Sequence, residues 1–304
     1  MVTLTAIVPG TNGPPTLERC IAAIKASADP PEELIVVQEP RNAGPAEARN
    51  LGAGRAMGNV LVFVDADVEV HPDAFRRIRR AFQVDPELTA LFGSYDDSPA
   101  APGVVSAFRN LLHHYVHHAG AGFATTFWAG LGAVRRDAFV AAGGFDADRF
   151  PVPSIEDIEL GIRLTATHAR IALDPGIQGT HLKAWSLREM LRTDFARRGV
   201  PWVRLMLANQ APSTALNLGW RHRLSAGSCL LLVAALATQR FRLAGAMAAV
   251  FLGLNHSFYA FLLQRRSAPE AVAGVFLHAA HHLTAAASIP AGIAGHLLNR
   301  QQHG

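Results

Sequence analysis

Nine residues constrain this chain more than any other stretch: Asn59-Val60-Leu61-Val62-Phe63-Val64-Asp65-Ala66-Asp67. Five consecutive apolar residues, rich in β-branched types, run into two carboxylates one residue apart. Such a run reads as a strand buried on both faces. An unpaired buried carboxylate is too costly to tolerate. Asp65 and Asp67 therefore belong at the strand's exit, in a crevice, facing positive charge. If the chain stays extended there, the two side chains leave on the same side. Two hard oxygen donors so placed suit Mg²⁺ or Mn²⁺ in the company of phosphate. Taken alone, the stretch reads equally well as a strand-end turn with two solvated acids. Its surroundings have to decide.

Before it, Leu4–Val8 is a short apolar strand closed by Pro9-Gly10. A helix follows, with Thr16 as its cap and Leu17, Cys20, Ile21 and Ile24 on one face. Leu34–Val37 is a second strand, ending at Gln38-Glu39-Pro40, and 44–57 is a helix of small residues. The order strand, helix, strand, helix, strand argues an α/β fold, a Rossmann-like, mostly parallel sheet flanked by helices. Ligands of such sheets sit outside the carboxyl ends of the strands. Pro9, Glu39 and Asp65-Ala66-Asp67 all fall there, and their convergence favours the metal-phosphate reading.

Farther on, Leu88–Phe92 is a further strand and 104–118 a helix carrying His113, His114, His117 and His118. Its i, i+4 histidine pairs lack a third ligand, so they read as helix or interface residues. The Gly-rich stretch 120–132 is not helical. Gly130 and Gly132 let backbone approach a ligand, and Trp128 offers either a flat face for a sugar or a core side chain. Ser154 caps a helix whose first turns hold Glu156, Asp157 and Glu159. Negative charge at a helix start is stabilising in itself, but three acids in four residues exceed that need. A carboxylate held at a crevice rim suits a general base. His181, near the end of a later strand, is either structural or a metal or diphosphate contact.

These motifs in this order resemble family 2 glycosyltransferases of the GT-A fold. The carrying residues are Pro9, the run Arg41–Gly52, Asp65-Ala66-Asp67, 130–136, Gly143-Gly144-Phe145-Asp146 and Glu156–Leu164. The resemblance covers roughly residues 2–205 and implies an inverting hexosyltransferase that uses a nucleotide sugar, UDP- or GDP-linked. Asp157, with Glu156 beside it, would take the acceptor's proton. Asp67, with His181, would hold Mg²⁺ or Mn²⁺. Pro9, Glu39, Asn42, Arg49, Asp65 and Ala66 would bind the nucleotide sugar. Glu39 stands where the family often has an acidic pair. Trp128, Gly130, Gly132, Arg198 and Trp202 would serve acceptor or diphosphate. Arg198 and Trp202 miss the Gln-x-x-Arg-Trp spacing of processive members. The alternative is a non-catalytic nucleotide-sugar-binding scaffold protein of a membrane glycan-synthesis complex. A nucleotidyltransferase would want a phosphate-cradling loop after the first strand, which Gly10-Thr11-Asn12-Gly13 matches poorly.

Composition matters chiefly in the tail. The chain of 304 residues is 50% hydrophobic and only 17% charged, against about 25% charge in ordinary soluble domains. After Leu224, Glu270 is the only acid. Arginines mixed with Trp202 and apolar residues over 186–210 suit interfacial helices on an anionic membrane. Apolar runs at 224–238 and 243–263 read as a membrane hairpin, and 271–293 as a further membrane or re-entrant stretch. The expected organisation is thus a catalytic domain over 1–205 and C-terminal membrane helices over 221–304. The cell membrane is the expected location, with the catalytic domain on the cytoplasmic side and a lipid-linked or membrane-proximal acceptor. A net charge of +4 gives no footing for nucleic acid. Cys20 and Cys229 lie too far apart in character to suggest a disulfide. The N-terminus reads as a first strand and not as a signal peptide.

Overall fold

In the computed structural model, which describes residues 1–209 and 219–303, the expected alternation is realised first. It runs β1 (Leu4–Pro9), α1 (Leu17–Lys25), β2 (Glu33–Val37), α2 (Pro45–Arg55) and β3 (Val60–Val64). β1 pairs in parallel with β2 and with β3. Every residue of β3 is buried. Val60, Val62 and Val64 pack with α1 residues Leu17, Cys20 and Ile24. Phe63 meets Phe139 and Phe145 at ring distances of 5.4 and 5.1 Å.

The chain continues through β4 (Val68–Val70), α3 (Ala74–Val84), β5 (Leu88–Tyr95), α4 (Val104–Ala119), β6 (Gly122–Ala124), β7 (Leu131–Arg135), α5 (Arg136–Ala141), α6 (Glu156–Ala166) and β8 (Arg170–His181). One sheet of eight strands results, ordered β2-β1-β3-β7-β5-β8-β4, with β6 on β8. The parallel arrangement holds for β2-β1-β3 and for β5-β8, while β7 runs antiparallel to both its neighbours. The sheet is therefore mixed. The reason is local: the Gly-rich loop delivers the chain at the end where β3 leaves, so Leu131 pairs with Val64 and the strand runs back.

Two local expectations are corrected. Thr16 makes no side-chain cap bond to α1. Ser154 does not cap α6; Ile155 holds the cap position, and the Ser154 amide donates to the Glu156 carboxylate at 2.9 Å. A capping box that sequence reading missed lies at Ser186-Glu189.

The chain divides into two compact units: Met1–Ala101 with Val116–Ala184, and Pro102–Tyr115 with Trp185–Gly304. Residues 185–205, expected with the first domain, thus belong to the second. That unit is helical: α7 (Leu187–Arg192), a π-helical stretch (Thr193–Gly199), α8 (Val200–Asn209), α9 (Trp220–Ala237), α10 (Phe241–Leu254), α11 (His256–Arg265) and α12 (Ala268–His303). Within it Asp194 is buried between Arg109, at 2.9 Å, and His281, at 2.7 Å. The run 243–263 is not one straight helix. It breaks at buried Asn255, whose amide donates to Ser225 Oγ and to the Phe251 carbonyl, and α10 and α11 meet with a bend of 67°. Among the described residues one helix, Ala268–Leu298, is long and apolar enough to cross a membrane, or two if the bent pair is a single span. Both cysteines are buried and free.

Candidate active site

The carboxyl ends of β1, β2 and β3 lie side by side because the three strands are parallel. Pro9 pairs with Val37 in register. Asp65 follows directly. Its amide donates to the Gly130 carbonyl at 3.0 Å, and its own carbonyl accepts from Val68 at 2.9 Å. The Asp65-Ala66-Asp67 turn is thereby fastened to the start of β7.

Arg49 brings the second acidic cluster to the first. It sits on α2 among Ala46, Ala48, Gly52 and Ala53, all buried, and its side chain is 5% exposed. Nη2 donates to Asp65 Oδ1 at 2.5 Å and Nη1 to Glu156 Oε1 at 2.9 Å. The guanidinium also lies over the Phe145 ring, 5.4 Å from its centre. Two carboxylates at opposite prongs of one planar cation form a strong, direction-specific arrangement.

Asp157 stands next on α6. Its Oδ2 accepts from the Ala129 amide at 3.1 Å and its Oδ1 from the Ile158 amide at 2.8 Å. α6 can come this close because residue 161 is glycine: a Cβ there would lie 2.3 Å from the Phe127 nitrogen. Burial, and next the charge of Glu156, push the Asp157 carboxyl up to about 6. A carboxylate tuned there is suited to accept a proton near neutral pH.

Asp67 and His181 are brought together by the antiparallel pairing of β4 with β8, which sets Val68 opposite His181. Asp67 Oδ2 lies 3.6 Å from His181 Nε2. The Asp67 carbonyl accepts from Leu182 at 2.8 Å. Burial opposes the Asp67 charge, but His181 and Lys183 beside it hold its carboxyl below the ordinary range. The His181 ring stacks on Tyr95, centres 4.2 Å apart, and Tyr95 meets Trp128 edge-on at 5.0 Å. Among the described residues no group of three or more His, Cys, Asp or Glu gathers as a metal cage. An oxygen donor and an imidazole this close still fit a divalent ion that takes its remaining ligands from phosphate and water.

The other expected residues are placed as follows. Glu39 is exposed and turned back on its own loop, accepting from the Arg41 amide at 2.8 Å. Asn42 has φ 68° and donates its amide to Asn12 Oδ1 at 3.2 Å, which ties together the loops after β1 and β2. Ala66 is buried. Gly130 makes room for Trp128: a Cβ there would lie 2.3 Å from the indole. At Gly132 a Cβ would meet the Trp128 carbonyl at 2.2 Å. Both glycines seat the half-buried tryptophan. Glu156, expected beside Asp157 as a catalytic carboxylate, is buried with both oxygens engaged, by Arg49 and by the Ser154 amide. Arg198 and Trp202 lie in the helical unit, where Trp202 Nε1 donates to Met206 Sδ at 2.8 Å. Of the histidines on α4, His117 hydrogen-bonds the Gly93 carbonyl at 2.8 Å and packs on Phe92. Sequence reading missed Tyr95, the Ala129 amide and the bridging geometry of Arg49. The available signal was an arginine set in a helix of alanines and glycines, where a buried cation demands acids.

The mixed sheet with its flanking helices matches the GT-A fold. Residues 30–142 match the family described as Glycosyl transferase family 2. The chain is similar to that family over this stretch, from the second strand to the end of the fifth helix. No curated protein matches the chain significantly. Among solved structures, a mannosyltransferase from Pyrobaculum calidifontis in complex with GDP-Man and Mn²⁺ is similar at 16% identity, over 95% of this chain and 87% of that one, with a TM-score of 0.54. Glucosyl-3-phosphoglycerate synthase from Mycobacterium tuberculosis aligns at 16% identity over 70% of this chain and 82% of that one, with a TM-score of 0.47. The first likeness is one of fold.

Proposed function

We propose that this chain transfers a sugar, with inversion, from a UDP- or GDP-sugar to a hydroxyl or phosphate of a lipid-linked or membrane-proximal acceptor. The observation that carries the reading is that two carboxylate clusters some 90 residues apart in sequence meet through Arg49. In this reading Asp67 and His181 are a metal-binding pair and Asp157 a proton acceptor at the same strand ends. Asp157 takes the proton of the acceptor as it attacks the anomeric carbon, and inversion follows from a single displacement. The Ala129 and Ile158 amides hold the carboxylate in place. Asp67 and His181 are the residues that would hold Mg²⁺ or Mn²⁺, and that ion would offset the charge growing on the departing diphosphate. Pro9, Asn42 and the Asp65-Ala66 backbone form the rim on which the nucleotide would lie. The Mn²⁺ and GDP-Man of the Pyrobaculum structure are in keeping with this assignment.

A membrane setting is supported by the apolar helices and by the scarcity of acids after Leu224. The active site belongs on the cytoplasmic side in this reading, because nucleotide sugars are cytosolic. The test is a screen of radiolabelled nucleotide sugars with Mn²⁺ and membrane extracts, followed by counting of the lipid fraction. Label in one lipid fraction with one donor is expected. No label with any donor in an otherwise folded protein would refute the reading.

A further inference from the structure

Glu156 and Arg49 sit at the centre of the site, yet both are buried away from any substrate, and Arg49 Nε, which has no partner, is buried with them. Arg49 gives one prong to Asp65 and one to Glu156. Glu156 spends its second oxygen on the Ser154 amide and is 4% exposed. The two residues come from α2 and from the first turn of α6, so the ion pair pins the start of α6 to the end of β3 through α2. That is the spot from which Asp157 reaches the Ala129 amide.

We infer that Arg49 and Glu156 are a buried positioning pair, which locks Asp157 against the Asp65 turn and sets the charge environment in which Asp157 works, and that Glu156 itself accepts no proton from the acceptor. This rests on the proposed transferase reading for its meaning, but its geometry does not. The groups facing Asp157 are Glu156 on its own helix, Arg49 from α2, and the amides of Ala129 and Ile158. Glu156 opposes the Asp157 charge and Arg49 favours it. Arg49 donates to Glu156, while Asp157 accepts from backbone amides. Two adjacent acids are thereby given different tasks by one cation.

The test is a thermal double-mutant cycle on the full chain, read as a function of pH. Melting temperatures of wild type, Asp157→Asn, Glu156→Gln and the double variant are measured from about pH 4 to about pH 7. Asp157→Asn should gain on wild type as pH rises, because it no longer becomes charged in a buried place. With Glu156→Gln the opposing charge is gone, and that gain should shrink to about half or less. An identical gain in both backgrounds overturns the pairing. If Glu156→Gln does not fold, Arg49→Lys replaces it in the cycle. An ammonium cannot fork to two carboxylates, so Glu156 is less neutralised and the gain should widen; an unchanged gain again overturns it.

A second arm reads turnover as release of nucleoside diphosphate from UDP-glucose and from GDP-mannose with Mn²⁺. Glu156→Gln, whose amide oxygen can still accept from Arg49, should lower turnover by about tenfold or less and move its acid limb downward by about half a pH unit or more. A folded Glu156→Gln protein with no turnover, beside an active wild type, would make Glu156 the base and refute the inference. An inactive wild type counts against the transferase reading and leaves the thermal cycle to decide on the pair.

Discussion

Asp157 is the residue on which the proposed chemistry turns. Asp157→Asn can accept from only one of the two amides and cannot take a proton. Transfer should fall by roughly 10²- to 10⁴-fold, while calorimetry with a nucleoside diphosphate and Mn²⁺ still finds binding; retained transfer would exclude Asp157 as base. Its carboxyl is pushed up to about 6 by burial and by Glu156, so kcat/KM should rise with pH through that region as the base form appears. The stability sign is the reverse. A folded-state value above the unfolded one, about 3.9, means the native state holds the extra proton between the two values. Asp157 therefore costs the fold stability as pH rises from about 4 to about 6, and a Tm-against-pH curve of the Asp157→Asn difference measures it. Arg49→Met leaves buried Glu156 and half-buried Asp65 without their cation. Breaking such a pair costs roughly 3–5 kcal/mol, and a loss of unfolding free energy in urea of less than about 1 kcal/mol would contradict the burial described.

At the scale of elements, the aim of α6 decides where Asp157 points. Gly161 lets the helix lie against the backbone of Thr126 and Phe127. In Gly161→Ala the new methyl meets backbone at 2.3 Å, and the helix has to move away from the Ala129 amide. A stability loss of roughly 1–3 kcal/mol is expected, together with a loss of transfer larger than that loss of folded protein explains. Equal activity per folded molecule would show that the helix has freedom the structure does not suggest. The pairing of β4 with β8 has the same standing for the metal: its register, and not any local motif, puts His181 beside Asp67.

At the scale of the whole molecule, the helical unit exposes Leu230, Leu231, Val233 and Leu236 on α9 and Val250 and Leu252 on α10, with no charged residue between Leu224 and Ala237 or between Leu243 and Leu254. Side chains of this kind left outward mark an apolar contact surface. The double variant Leu230→Lys, Leu231→Lys should float less with vesicles than wild type in a sucrose gradient, with the circular dichroism of a folded protein; unchanged flotation would put membrane contact elsewhere. Much of this molecule is legible in the chain alone. The strand at 60–64, its carboxylate exit and the α/β alternation are local patterns, because burial on both faces requires an unbroken apolar run and charge can appear only where that run ends. The acidic start of α6 and the apolar tail are legible for the same reason. The antiparallel β7, the seat that Gly130 and Gly132 make for Trp128, and the break at Asn255 were not, since each depends on what a segment packs against. The ion pair of Arg49 with Glu156 spans 107 positions; the small residues around Arg49 signal a buried cation, but nothing local names its partner. Residue type and periodicity determined which groups this protein brings to its sheet edge; only the packing of α2 and α6 on that edge decided which of two adjacent acids is bound by a buried cation.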